Sequence, residues 1–143
     1  MKLDDTDRQL LKILRLDARK PVTLLAQILG ISRQTVQKRI AALEQSDIIA
    51  GYTIKNGQHF QAELFRAQAM LTIDNNVGDQ LIAYLHKIEQ ITAVYSVAGN
   101  FDALVSIESS SSEGIDQVLD KIRRHPQVLQ TQSYLLLSQK INR

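Results

Sequence analysis

The apolar residues of this 143-residue chain recur with two different periods, and the change falls between residues 50 and 65. Before it they sit three or four residues apart, the spacing of one helix face. After it they alternate, the spacing of a half-buried strand. Such a chain cannot be a single helical bundle or a single sandwich. It is expected to fold as a helical N-terminal part followed by a mixed part, an α+β protein.

The first part reads as three helices. In "DDTDRQLLKILRLD", Leu10, Leu11, Ile13 and Leu14 share one face, acids occupy the first turn, and Asp4 or Asp5 can cap it. The segment "ARKP" interrupts at Pro21. Thr23 can cap a second helix carrying Leu24, Leu25, Ile28 and Leu29, which Gly30 ends in a left-handed conformation. Ser32 can cap a third, in which Val36, Ile40 and Leu43 fall at i, i+4 and i+7. Ala26 is small where the last two helices cross, Ile31 follows the glycine turn, and Val36 packs inward. That is the helix-turn-helix pattern.

With Val36 turned to the core and about 100° per residue, Gln34, Lys38, Ala41 and Gln45 face outward, flanked by Thr35 and Gln37. Amides make paired hydrogen bonds to adenine edges, and Lys reaches guanine acceptors or phosphates. This face is expected to touch double-stranded DNA. Arg33 and Arg39 sit nearer the buried face, and Arg39 can equally pair with Glu44 or with an acid of the first helix.

Charge distribution agrees. Residues 1–60 hold ten Lys/Arg against six Asp/Glu, whereas residues 61–143 hold seven against nine, so a net +4 faces a net −2. One half is built to meet a polyanion and the other is not. No cysteine is present, which excludes disulfides and thiolate metal sites. The N-terminus lacks the apolar core of a signal peptide and no run spans a bilayer, so a cytoplasmic protein with no membrane partner is expected. His59, His86 and His125 are scattered without metal-ligand spacing. Neither a phosphate-cradling Gly-rich loop nor a G-x-S-x-G elbow occurs, and Arg66 and Asn100 have no general base nearby in sequence. An enzyme is not expected.

In the second part, "FRAQAMLTI" alternates Phe65, Ala67, Ala69, Leu71 and Ile73 with Arg66, Gln68 and Thr72. A helix with Leu81, Leu85 and Ile88 follows. Then come two strands, "ITAVYSVA" and "DALVSIES", separated by the hairpin signal "GNFD". Ser111 or Ser112 can cap a helix with Ile115, Val118, Leu119 and Ile122, and "VLQTQSYLLLSQ" forms a last strand. The order βαββαβ is that of a ferredoxin-like unit. Between the two parts, "IIAGYTIKNGQHFQAEL" reads as a short strand and a polar linker. In "GNFD", glycine and asparagine can supply the positive φ angles of a turn. An aromatic and a carboxylate directly after it suggest more. Backbone amides there, with Asp102, can hold the ammonium and carboxylate of an amino acid, and Thr131 and Ser133 line the same cleft if their strand is adjacent.

With these pieces in place, "LDDTDRQLLKIL", "LGISRQTVQKRIAALE", "IIAGY", "GNFD" and "VLQTQSYLLL" together resemble the Lrp/AsnC family of transcription factors, the leucine-responsive and asparagine (feast/famine) regulators. The resemblance covers nearly the whole chain. It implies an N-terminal winged-type helix-turn-helix DNA-binding domain over residues 1–50 and a linker with a short strand over 51–64. A C-terminal ferredoxin-like (βαββαβ) effector-binding and oligomerisation domain follows over 65–143. It assigns DNA contacts to Ser32, Arg33, Gln34, Thr35, Gln37, Lys38 and Arg39, and an effector loop of the form G-x-aromatic-D to Gly99, Asn100, Phe101 and Asp102. It implies an amino-acid effector, no other cofactor, and homodimers that assemble into tetramers, octamers or rings. Where the family usually has glycine before "IIAGY", this chain has Asp47, which can still adopt the left-handed conformation a helix end needs. Two readings from other classes stay open: an architectural DNA-compacting protein with little sequence preference, and a ferredoxin-like sensor or enzyme without DNA binding.

Overall fold

A computed structural model describes residues 2–75 and 80–141. It divides into two compact units, Met1–Lys55 and Asn56–Arg143.

The first unit is built on α1 (Asp5–Leu16), α2 (Val22–Leu29) and α3 (Arg33–Gln45). Asp4 begins α1 with a capping box, its side chain accepting from the Asp7 N–H while the Asp7 side chain accepts from the Asp4 N–H. Helix α2 starts two residues earlier than a Thr23 cap would place it. The carbonyl of Pro21 accepts from the Leu24 and Leu25 N–H groups at 2.9 and 3.0 Å, and no side chain caps the helix. Proline before the first helical residue supplies a fixed φ at no cost in donors, so Thr23 lies inside the first turn instead. Gly30 ends α2 at φ 66°, and Ser32 caps α3 by accepting from the Thr35 N–H. Asp47 follows α3 at φ 57°, with the Ile48 N–H returning to the Leu43 carbonyl at 3.0 Å, so the left-handed turn survives without glycine. Leu10, Leu14, Leu25, Ala26, Val36 and Leu43 form the core, sealed by Leu3, Ile31, Ile48 and Ile49. Each fully buried Leu contributes on the order of 1.5–3 kcal/mol by leaving water.

The expected short strand after α3 does not form among the described residues. An extended segment needs a strand to accept its ladder bonds, and residues 50–57 pair with no other strand among the described residues. The next element is α4 (Gln58–Ala62), one polar helical turn too short to leave a period in the sequence.

The second unit also holds β1 (Phe65–Ile73), α5 (Leu81–His86), β2 (Ile91–Ser96), β3 (Ala103–Ser109), α6 (Ser112–Arg124) and β4 (Val128–Leu136). The sheet order is β2-β3-β1-β4 with antiparallel pairing throughout. Ala67, Ala69 and Leu71 of β1 and Ala103, Val105 and Ile107 of β3 pack against Leu81 and Leu85 of α5 and Ile115, Val118 and Ile122 of α6. Ser111, rather than Ser112, caps α6 by accepting from the Gly114 N–H. Because β1 is central, its alternation is the cleanest in the chain. The register puts Met70, Leu104, Tyr95, Tyr134 and Leu136 on the opposite face, where Tyr95, Tyr134 and Leu136 remain exposed.

Candidate nucleic-acid interface and ligand cleft

Helix α3 presents Ser32, Arg33, Gln34, Gln37 and Lys38 to solvent, with Thr35 half-buried. Their order follows from Val36 and Leu43 being drawn into the core on the other side. The Ser32 and Thr35 hydroxyls lie 2.8 Å apart, so the first turn is ordered by its own cap. Among the described residues no ion pair occupies Arg33 or Lys38, and both cations are available to an outside anion.

Arg39 is placed differently from its neighbours. Its Nη1 donates to Asp4 Oδ2 and to Asp7 Oδ1, each at 2.7 Å, and the Asp7 side chain is only 3% exposed. Asp7 and then Asp4 hold the guanidinium above its ordinary value. The Asp4 carboxyl is held below its usual range, first by the Asp7 N–H and then by Arg39. Of the two roles open to Arg39 in the sequence, the structure takes the internal one. Arg39 pins α3 to the start of α1 through two bonds from one guanidinium nitrogen. At the far end of α3, the Tyr52 hydroxyl donates to Glu44 Oε1 at 2.7 Å; this bond raises the phenol above its ordinary value, with burial adding to it.

In the second unit the β2–β3 hairpin closes with the Val97 N–H donating to the Asp102 carbonyl at 3.1 Å. Gly99 takes φ 141°, a conformation that favours glycine. Asn100 does not share it: among described residues other than glycine, Asp47 alone has positive φ. Asp102 locks the hairpin onto β1, its N–H donating to the Leu71 carbonyl and its Oδ2 accepting from the Ile73 N–H, both at 2.8 Å. Beside it opens a cavity of 630 Å³. Ile73, Leu81, Ile82, Val94 and Ala103 supply its apolar surface, Tyr95 adds an aromatic ring, and Asn75, Ser96, Asp102 and Gln127 supply the polar groups.

The predicted effector residues only partly converge on this cleft. Asp102 lines it, whereas Gly99, Asn100 and Phe101 do not. Thr131 and Ser133 are separated from the hairpin, because β1 lies between β4 and β3; they pair with Leu71 and Ala69. The adjacency that would have brought them to Asp102 is absent, and their placement in its cleft is corrected. Ser96, Ile82 and Gln127 carry no motif, so only Ser96 leaves a trace in the sequence, by sharing the inward phase of Val94. Among the described residues no group of His, Asp and Glu is arranged to hold a metal. No helix among them is long and apolar enough to cross a membrane.

Comparisons with known proteins fall on the same division. The family described as the AsnC-type helix-turn-helix domain matches residues 3–44, and the Lrp/AsnC ligand binding domain matches residues 66–143. The HTH-type transcriptional regulator LrpA of Mycobacterium tuberculosis is 31% identical over 95% of this chain and 91% of its own length. The regulator LysM of Sulfurisphaera tokodaii is 32% identical over 94% of this chain and 95% of its own. Among solved structures, a feast or famine regulatory protein from M. tuberculosis complexed with L-methionine superposes with a TM-score of 0.88. It is 30% identical, over 99% of this chain and 96% of that one.

Proposed function

Because the chain belongs to the Lrp/AsnC family of HTH-type transcriptional regulators, we propose that it reads operator DNA through the outward face of α3 and takes an amino-acid effector in the cleft beside Asp102. The observation that carries the DNA reading is the solvent face of α3: Gln34, Gln37 and Lys38 exposed on a helix whose other side is anchored by Val36, Leu43 and Arg39. An anchored helix fixes the backbone positions from which its amides and cation reach outward, so only side-chain freedom is left to lose when they meet bases. Ser32, Arg33 and Thr35 at its N-terminus supply phosphate contacts.

The effector reading is supported by the cleft and by the methionine complex of the relative. A cavity of 630 Å³ admits any of the twenty amino acids. Size therefore does not select among them. Asp102 Oδ2 is already engaged by the Ile73 N–H. Its carboxylate holds the cleft wall in place while its charge favours a ligand ammonium.

The chain acts as a dimer or a larger assembly in the cytoplasm. One helix-turn-helix makes few contacts, and a symmetric dimer doubles them across two half-sites about one helical turn or its multiples apart. The sheet face bearing Met70, Leu104, Tyr134 and Leu136 is the proposed contact. Selection of bound duplexes from a random pool, followed by footprinting, tests this function. A two-fold symmetric site is expected. Protection without sequence preference, vanishing steeply with salt, would favour the architectural reading instead.

A further inference from the structure

A side chain outside every sequence motif ties the walls of the cleft together. Gln127 lies between α6 and β4, is 4% exposed, and lines the cavity that holds Asp102. Its Oε1 accepts from the Leu81 N–H at 2.7 Å and from the Gln80 N–H at 3.1 Å, the amides that open α5. Its carbonyl accepts from the Asp74 N–H at 2.8 Å, just past β1, and its own N–H donates to His125 Nδ1 at 3.3 Å. Helix α5 has no side-chain cap of its own. Gln127 supplies from 46 residues away what Asp4, Ser32 and Ser111 supply locally to their helices.

The geometry points to Gln127 as a positioning residue of the ligand cleft, fixing the α5 wall of Leu81 and Ile82 against the sheet wall of Ile73, Val94 and Ala103. The inference rests on the reading of this cleft as the amino-acid site. The physical reason is the burial of the donors. Leu81 is 2% exposed, so loss of the glutamine oxygen leaves a buried N–H without this partner, a cost that a shift of α5 would relieve. A movement of α5 carries Ile82 with it, and Ile82 forms part of the apolar wall a ligand would meet. A site whose walls shift by even a fraction of an ångström loses affinity without losing any contacting group.

The test uses the full chain and two variants. Gln127→Glu keeps an acceptor oxygen at the same reach, and Gln127→Leu keeps the bulk and removes it. The probe is whichever of the twenty L-amino acids raises the melting temperature of the wild type, L-methionine being tried first. The expected calorimetric result is that Gln127→Glu binds within about threefold of the wild type, while Gln127→Leu binds about tenfold more weakly. Hydrogen exchange on the wild type supplies a measurement that survives if Gln127→Leu does not fold: the Gln80 and Leu81 amides should exchange more slowly with the probe bound. Wild-type affinity in Gln127→Leu overturns the inference, as does equal loss in both variants or unchanged exchange at these amides. If no amino acid stabilises the wild type, the amino-acid reading itself fails, and this inference falls with it.

Discussion

Replacing Arg39 with Ala leaves the Asp7 carboxylate, 3% exposed, without the cation 2.7 Å from it. Breaking a fully buried pair costs about 3–5 kcal/mol. Arg39 is 28% and Asp4 53% exposed, and solvent screens part of the interaction, so about 1–3 kcal/mol is expected from thermal melting. At temperatures where the variant stays folded, its DNA affinity should match that of the wild type. A selective loss on cognate DNA would return Arg39 to the reading face. The sign with pH is fixed by Asp4, whose carboxyl is held below its unfolded value. Its contribution is complete above the unfolded value and fades as pH falls through the folded one. Melting temperature against pH should therefore drop less steeply below about pH 4 in Asp4→Asn than in the wild type. Periodicity placed Arg39 near the edge of the buried face but could not choose between its two roles. The choice depends on where α1 lies, and angles around one helix say nothing about a second.

At the scale of elements, caps and periods were legible where the physics is local. Gly30 and Ser32 act where the sequence indicated, Asp4 and Ser111 are the ones taken of the two residues open at each of their helices, and the local cap expected at Thr23 gives way to Pro21. The short strand before residue 58 was not realised, because a strand is a property of a pair and its apolar pattern cannot supply the partner. The cap of α5 was illegible for the same kind of reason, since Gln127 is remote in sequence and becomes a cap only through the fold. Asp47 offers a test of the local logic. An L-residue at φ 57° carries a steric cost of about 1–2 kcal/mol that glycine avoids, partly offset by the greater freedom of glycine in the unfolded chain. Asp47→Gly should raise stability by about 0.5–1 kcal/mol. An unchanged or lowered melting temperature would mean that the Asp47 side chain stabilises the turn by other means.

For the whole molecule, the order of strands was readable and the convergence of the effector residues was not. Alternation gave βαββαβ, and with it the sheet. That β1 separates β4 from the hairpin follows from the topology, and it removes Thr131 and Ser133 from the Asp102 cleft. The open sheet face carries a prediction about assembly. Met70→Glu puts a charge on this face between Leu104 and Gln132, diagonal to Tyr134, without touching the inward core of Ala69 and Leu71. Sedimentation should show a shift toward monomer with unfolding temperature little changed, and operator affinity should fall with it. An undisturbed assembly would place the interface elsewhere. If an effector alters operator affinity, operator must alter effector affinity by the same factor. DNA reading by α3 is tested most directly by equilibrium binding of the wild type, Gln34→Ala and Lys38→Ala to a selected operator and to a scrambled duplex at one salt concentration. A residue making a paired base contact should lose about 1–3 kcal/mol on the operator, and much less on the scrambled duplex. Equal losses on both duplexes, or none on either, would contradict the claim that this face of α3 reads bases.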